Sequence, residues 1–183
     1  MKYVTILVNR SGTTAWFHNE REPIMATLRT IAVLITLLTV TTAYAGGQLA
    51  FERKLAAAEN GDIEAQYDVG YRYEKGRGVD SDDETAFEWY SKAADQGLDK
   101  AQYKVGCFYL KGQGIDKSLA DAEAWLNKAA DQGYPPAQFQ LGKLYASTRK
   151  RDYEQALSWL EKAQDGGYEP ATREIRKVKK KIN

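Results

Sequence analysis

The segment Ala65-Gln-Tyr-Asp-Val-Gly-Tyr-Arg-Tyr73 returns as Ala101-Gln-Tyr-Lys-Val-Gly-Cys-Phe-Tyr109 and again as Ala137-Gln-Phe-Gln-Leu-Gly-Lys-Leu-Tyr145, which places Gly70, Gly106 and Gly142 at intervals of 36 residues. A second block keeps step with the first: Ala86, Trp89 and Lys92-Ala-Ala-Asp-Gln-Gly97 recur as Ala122, Trp125 and Lys128-Ala-Ala-Asp-Gln-Gly133. A unit of this length is one helical hairpin. It cannot bury its apolar side alone, so neighbouring copies must stack. The expected fold class is therefore all-α, an α/α superhelical solenoid of helix hairpins whose concave surface replaces a closed cleft.

Each repeat reads as helix A, loop, helix B, over residues 62–97, 98–133 and 134–167. In the first, Ala65, Val69 and Tyr73 recur at i, i+4 and i+8 on one side of helix A. Gly76-Arg77-Gly78 ends that helix, because glycine adopts positive φ without steric cost. Asp82, Ser118 and Asp152 each stand four residues before a small core alanine, the place of a helix N-cap. Gly70, Ala86, Ala93 and Ala94 let helices approach closely, and Trp89 and Tyr73 fill the space beside them; Gly106, Ala122 and Trp125 repeat the scheme. The third repeat lacks the Gly-x-Gly loop between Tyr145 and Asp152, so its hairpin turn is expected to be tighter.

The array is closed at both ends. Residues 46–61 align with a helix B, Arg53 replacing the tryptophan, and read as an N-terminal capping helix. Residues 168–183 open as a helix A but continue into Arg173, Arg176, Lys177, Lys179, Lys180 and Lys181, the polar outer face that a terminal solenoid helix requires.

Upstream, residues 25–45 have the order of a secretory signal: Arg29, an apolar run from Ile31 to Val40, then Ala43-Tyr44-Ala45. The run is shorter than the roughly 20 residues of a membrane-spanning helix. Cleavage is expected after Ala45, with no stable membrane span afterwards; the alternative is an inner-membrane anchor formed by an uncleaved signal. Residues 1–24 are polar, carry Glu20 and Glu22, and do not resemble a signal n-region. They are expected to be a disordered, non-native extension ahead of a start at Met25.

The quoted motifs, with Gly-x-Gly-Val/Ile between them, resemble those of the Sel1-like repeat (SLR) family, relatives of tetratricopeptide repeats, over residues 48–172. The resemblance implies a solenoid. It also implies, for an exported member, a non-catalytic adaptor or regulator of envelope proteins, or an immunity protein that neutralises a toxic effector in the periplasm.

The chemistry available agrees with a binding role. The only histidine, His18, precedes the signal-like segment, so residues 46–183 lack histidine-based acid/base, nucleophile and zinc chemistry. No cofactor is expected. That same span carries 22 basic and 23 acidic residues, without the positive excess of a dedicated nucleic-acid binder. Cys107 is the sole cysteine, which excludes an intramolecular disulfide. It is expected to be a small, half-buried residue, not a reactive thiol. The acidic run Asp80 to Glu84 lies where a helix begins and reads as capping, lacking the spacing of a calcium loop. A hydrolase working with carboxylates alone would need two acids converging in a pocket, and caps spread along a ridge do not predict one.

The partner is expected to be another protein, held on the concave helix A row. One helical turn apart there stand Tyr67, Tyr71 and Glu74; Tyr103, Cys107 and Lys111; Phe139, Lys143 and Ala146. Tyr67, Tyr103 and Phe139 recur with the period, and packing against the next hairpin explains them equally well. Tyr71, Arg72, Phe108, Lys111 and Lys143 do not recur and are the specificity candidates.

Overall fold

The structure is a computed structural model that describes residues 5–8, 14–17, 31–32, 47–147 and 152–182 and divides into two units, residues 1–47 and 48–183. In the first, β1 (Thr5–Val8) pairs antiparallel with β2 (Thr14–Phe17), Thr5 opposite Phe17 and Val8 opposite Thr14. A short β-ribbon therefore stands where a disordered extension is expected. Both segments are β-branched or aromatic in most positions, a local preference that their polar surroundings conceal in the sequence. Beyond residues 31–32, the apolar run and the expected cleavage point lie outside the described residues. Among the described residues no helix is long and apolar enough to cross a membrane.

The second unit is helical. After α1 (described over residues 47–59) come α2 (Ile63–Lys75), α3 (Asp83–Asp95), α4 (Asp99–Lys111), α5 (Leu119–Asp131), α6 (Pro135–Ser147), α7 (Tyr153–Asp165) and α8 (Pro170–Ile182). Pairs α2/α3, α4/α5 and α6/α7 form the hairpins, and α3, α5 and α7 each pack on the helix that follows. The A helices, α2, α4, α6 and α8, make one row and the B helices, α3, α5 and α7, the other.

The expected punctuation is present. Asp82 accepts the backbone N–H groups of Glu84 and Thr85, Ser118 that of Asp121, and Asp152 that of Gln155. Gly76 and Gly112 close α2 and α4 in the left-handed region, at φ 63° and 69°. Residues 148–151, where the tighter third turn is expected, lie outside the described residues.

Close approach inside each hairpin differs from the expectation in one respect. The residue that fills the space above the repeat glycine is not the tryptophan but its successor. A β-carbon on Gly70 would stand 2.9 Å from the Tyr90 ring, one on Gly106 2.8 Å from Leu126 Cγ, and one on Gly142 2.5 Å from Leu160 Cγ. Tyr90, Leu126 and Leu160 are the largest fully buried B-helix side chains. Trp125 and Trp159 are only partly buried. Lys92, Lys128 and Lys162 lie over the rings of Trp89, Trp125 and Trp159 at 3.8, 3.6 and 4.0 Å, so the Trp-x-x-Lys spacing shields the outer ring face with a cation one turn on.

The array is capped at each end. Phe51 and Ala58 of α1 pack with Ala65, Val69 and Trp89. In α8, Ala171, Ile175 and Val178 are buried while Arg173, Arg176 and Lys180 face solvent.

Candidate protein-binding surface

The A helices hold one another through side chains as well as through the B helices between them. Lys100 of α4 reaches Glu64 of α2 at 2.5 Å and lies 4.5 Å from the centre of the Tyr67 ring. Lys104, also on α4, reaches Glu74 of α2 at 2.7 Å. Glu74 collects three donors: Lys104 and Tyr90 Oη on Oε2 and Lys75 on Oε1, each at 2.7 Å. Burial opposes ionisation of this carboxyl, yet the hydrogen bonds from Lys104, Lys75 and Tyr90 outweigh it and hold the pKa at about 2. Glu74 is thus a constituent of the junction between the first two repeats, not a free binding group.

That cluster occurs at one junction only. Leu110, Leu126 and Gln140 occupy the matching positions one repeat on. No local motif marks Lys104; its only sequence signal is that a lysine stands where the flanking repeats have Asp68 and Gln140.

The recurring aromatic residues prove to be both packed and partly exposed. The Tyr67 ring lies 5.2 Å from that of Tyr90, Tyr103 5.5 Å from Tyr134, and Phe139 5.1 Å from Tyr168. Tyr134 and Tyr168 open the next repeat, so two of these contacts cross a repeat boundary. Burial pushes the Tyr67 phenol up to about 12 and raises that of Tyr103, keeping both neutral hydrogen-bonding groups.

The non-recurring candidates separate. Phe108 is 2% exposed and packs on the rings of Tyr90 and Phe87 in the central core. It is therefore removed from the binding surface: its place on α4 faces the B helices, as does that of Leu144, 7% exposed, at the matching position of α6. Tyr71 remains partly exposed, with the Arg77 guanidinium 5.1 Å from its ring centre. Arg72 is partly exposed, and Lys111 and Lys143 are exposed, Lys143 lying 5.5 Å from the Phe139 ring. Cys107 is buried beyond the half-buried expectation, and burial raises its thiol pKa, the opposite of an activated thiol.

A second periodic feature is internal. Gln66, Gln102 and Gln138 are buried and donate from Nε2 to the carbonyls of Ala58, Ala94 and Ala130 at 3.1 to 3.2 Å. Gln96 and Gln132 in turn donate to Oε1 of Gln66 and Gln102 at 2.7 and 2.8 Å. At the third position the donor is replaced by Gly166, and Gln138 Oε1 has no partner among the described residues. A β-carbon on Gly166 would stand 2.7 Å from Pro135 Cγ, so the proline ring takes the space that a side chain there would need.

Acidic residues are spread along the helices. Asp82 is spent on capping, and among the described residues no group of three or more His, Cys, Asp or Glu is placed to hold a metal ion.

A family model for the Sel1 repeat matches residues 63–98, 99–134 and 135–168. Among solved structures, a Sel1 repeat protein from Oxalobacter formigenes is 34% identical with a TM-score of 0.65, over 77% of this chain and 58% of that one. The protein c5321, described as a protective antigen of uropathogenic Escherichia coli with an SLR fold, is 28% identical with a TM-score of 0.67, over 75% of this chain and 31% of that one. The immunity protein Pa5087 from Pseudomonas aeruginosa is 31% identical with a TM-score of 0.50, over 68% of this chain and 47% of that one. The chain thus spans 58% or less of the length of each of these proteins. No curated protein gives a significant match.

Proposed function

This chain belongs to the Sel1 repeat family, and from that premise we propose that it is a non-catalytic protein-interaction module of the bacterial envelope, of adaptor or regulator type, that binds its partner along the A-helix row. The family is generally a scaffold for protein binding. One observation carries the assignment of the surface: Tyr71, partly exposed, and Lys143, exposed, occupy the same place on α2 and α6 and differ completely, while Val69, Val105 and Leu141 keep one buried apolar role; Cys107, at that place on α4, is itself buried. A fixed core beneath a varied surface is what a scaffold shaped for one ligand needs. Exposed Lys111 extends that surface on α4, whereas Arg72 stands on α2 at the place of Phe108 and Leu144, which faces the B helices, and does not belong to it.

Export to the periplasm is part of the proposal and rests on the basic, apolar and small-residue order of residues 25–45. The absence of histidine from residues 46–183 supports a role without catalysis.

A second reading is favoured by a specific likeness. The 31% identity to an immunity protein of Pseudomonas aeruginosa supports neutralisation of a toxic effector, with the same row as the blocking surface. The two readings differ in the partner and not in the face used.

Replacing Tyr71 and Lys143 by alanine in the full chain tests the surface, with the partner recovered by pull-down from an envelope extract. Binding should weaken at least about tenfold, on the order of 1.4 kcal/mol, with helical circular dichroism unchanged. Normal binding by this variant, together with loss on changing Glu88 and Glu154 of the B row, would refute the assignment.

A further inference from the structure

The two helix rows differ in charge. Helices α2, α4 and α6 carry six Lys and Arg against four Asp and Glu and the capping α8 six against one, whereas α3, α5 and α7 carry three against ten. The overall near-neutrality of residues 46–183 conceals a molecule basic along one row and acidic along the other.

The acids of the A row are already engaged. Glu64 pairs with Lys100, Asp68 with Lys54, Glu74 with Lys75 and Lys104, and Glu174 with Lys177. Asp99 lies in the first turn of α4, where a carboxylate offsets the helix dipole, and accepts the backbone N–H of Lys100. Exposed Lys111 and Lys143, in contrast, have no carboxylate partner among the described residues. On the B row the balance is reversed. Its three lysines lie over tryptophan rings, and Glu84, Glu88 and Glu154 face solvent.

We infer that the partner of the A row is an acidic protein segment, whose carboxylates meet Lys111 and Lys143 and whose apolar side chains meet the partly exposed rings of Tyr71 and Phe139. This deepens the proposed function and rests on it. Charge complementarity selects the partner's sign, and an unpaired cation beside a partly exposed ring, Lys143 5.5 Å from the Phe139 centre, suits a polypeptide that alternates acidic and apolar side chains. A bilayer or nucleic acid offers a uniform run of phosphates and would use the denser charge of α8, where Arg173, Arg176 and Lys180 lie on one face.

The test uses the full chain and fluorescence anisotropy of a labelled peptide of four Glu-Glu-Tyr triplets, with a peptide of four Lys-Lys-Tyr triplets as its counterpart. The acidic peptide should bind in about 20 mM salt and weaken at least about tenfold in about 300 mM, as screening shortens the reach of the charges. The variant Lys111→Glu/Lys143→Glu should lose at least about tenfold in affinity, and Glu88→Lys/Glu154→Lys should lose none, both retaining wild-type circular dichroism. Three outcomes overturn the inference: equal binding of the two peptides, retention of affinity by the A-row variant while Arg173→Glu/Arg176→Glu/Lys180→Glu loses it, or binding only to vesicles containing phosphatidylglycerol. A recovered partner that requires Tyr71 yet tolerates the A-row charge reversal would overturn the acidic-partner inference alone. One that depends on Glu88 and Glu154 would overturn the choice of row itself.

Discussion

Gly106 and Leu126 touch so closely that a β-carbon on the glycine would stand 2.8 Å from Leu126 Cγ and 3.3 Å from the carbonyl oxygen of Ala122. The same approach joins Gly142 to Leu160 and Gly70 to Tyr90, which makes it the contact that sets helix spacing inside every hairpin.

Gly106→Ala should therefore destabilise the domain, although alanine is the better helix former by about 1 kcal/mol. Overpacking of this kind costs about 1 to 3 kcal/mol. Gly47→Ala, where a β-carbon would meet nothing within 4 Å, should be neutral or mildly stabilising. Urea melts of both variants check the contrast.

The pairing of a partly buried tryptophan with a fully buried successor leads to a ranking. Leu126→Ala should cost about 3 to 5 kcal/mol, because it opens a cavity between two helices, and Trp125→Ala should cost less. Phe108→Ala should also destabilise strongly, whereas Tyr71→Ala removes a half-buried ring that only borders the same core and should cost no more than about 1 kcal/mol. Equal melts for Phe108→Ala and Tyr71→Ala would contradict the division between core and surface.

The Glu74 cluster sets an acid limit. Its carboxyl is held at about 2 in the folded chain against an ordinary 4.5, so the unfolded chain takes up the proton first. The stabilisation is complete above about pH 5 and is lost as pH falls from 4.5 towards 2. Glu74→Gln should flatten that acid limb in melts followed by circular dichroism. At neutral pH it should cost about 2 kcal/mol, below the usual cost of breaking a buried pair because Lys104 can turn towards water.

Glutamine substitutions should differ between repeats. Gln102→Leu removes a side chain bonded at both ends and leaves Gln132 with its bond to the Gly97 carbonyl alone, whereas Gln138→Leu removes an acceptor that has no partner among the described residues. Denaturant midpoints should show Gln102→Leu costing about 1 kcal/mol more, the net worth of one such hydrogen bond.

Much of this is legible in the sequence, because it repeats. A period of 36 residues, the glycine stops and the caps at Asp82, Ser118 and Asp152 are local signals, and the structure places them as read. What periodicity cannot separate is two neighbouring apolar residues. Trp125 and Leu126 are 100° apart on one helix, and only the packed neighbour decides which enters the core. Phe108 is hidden for the same reason: its identity does not recur, yet its place is apolar and buried in α4 and α6, as Leu144 shows. The Glu74, Tyr90 and Lys104 cluster was hidden because its members come from three helices and occur at one junction. The β-ribbon at Thr5–Val8 and Thr14–Phe17 was obscured by the polar residues around it.

The central claim is that a partner meets the A row, and site-specific photo-crosslinking tests it most directly. A photoreactive side chain is placed in turn at Tyr71, Lys111 and Lys143 of the A row and at Glu84, Glu88 and Glu154 of the B row, and each full-length variant is irradiated with the partner recovered by pull-down. Adducts should form from the A-row positions and not from the B-row positions. Adducts confined to Glu84, Glu88 and Glu154 would contradict the account.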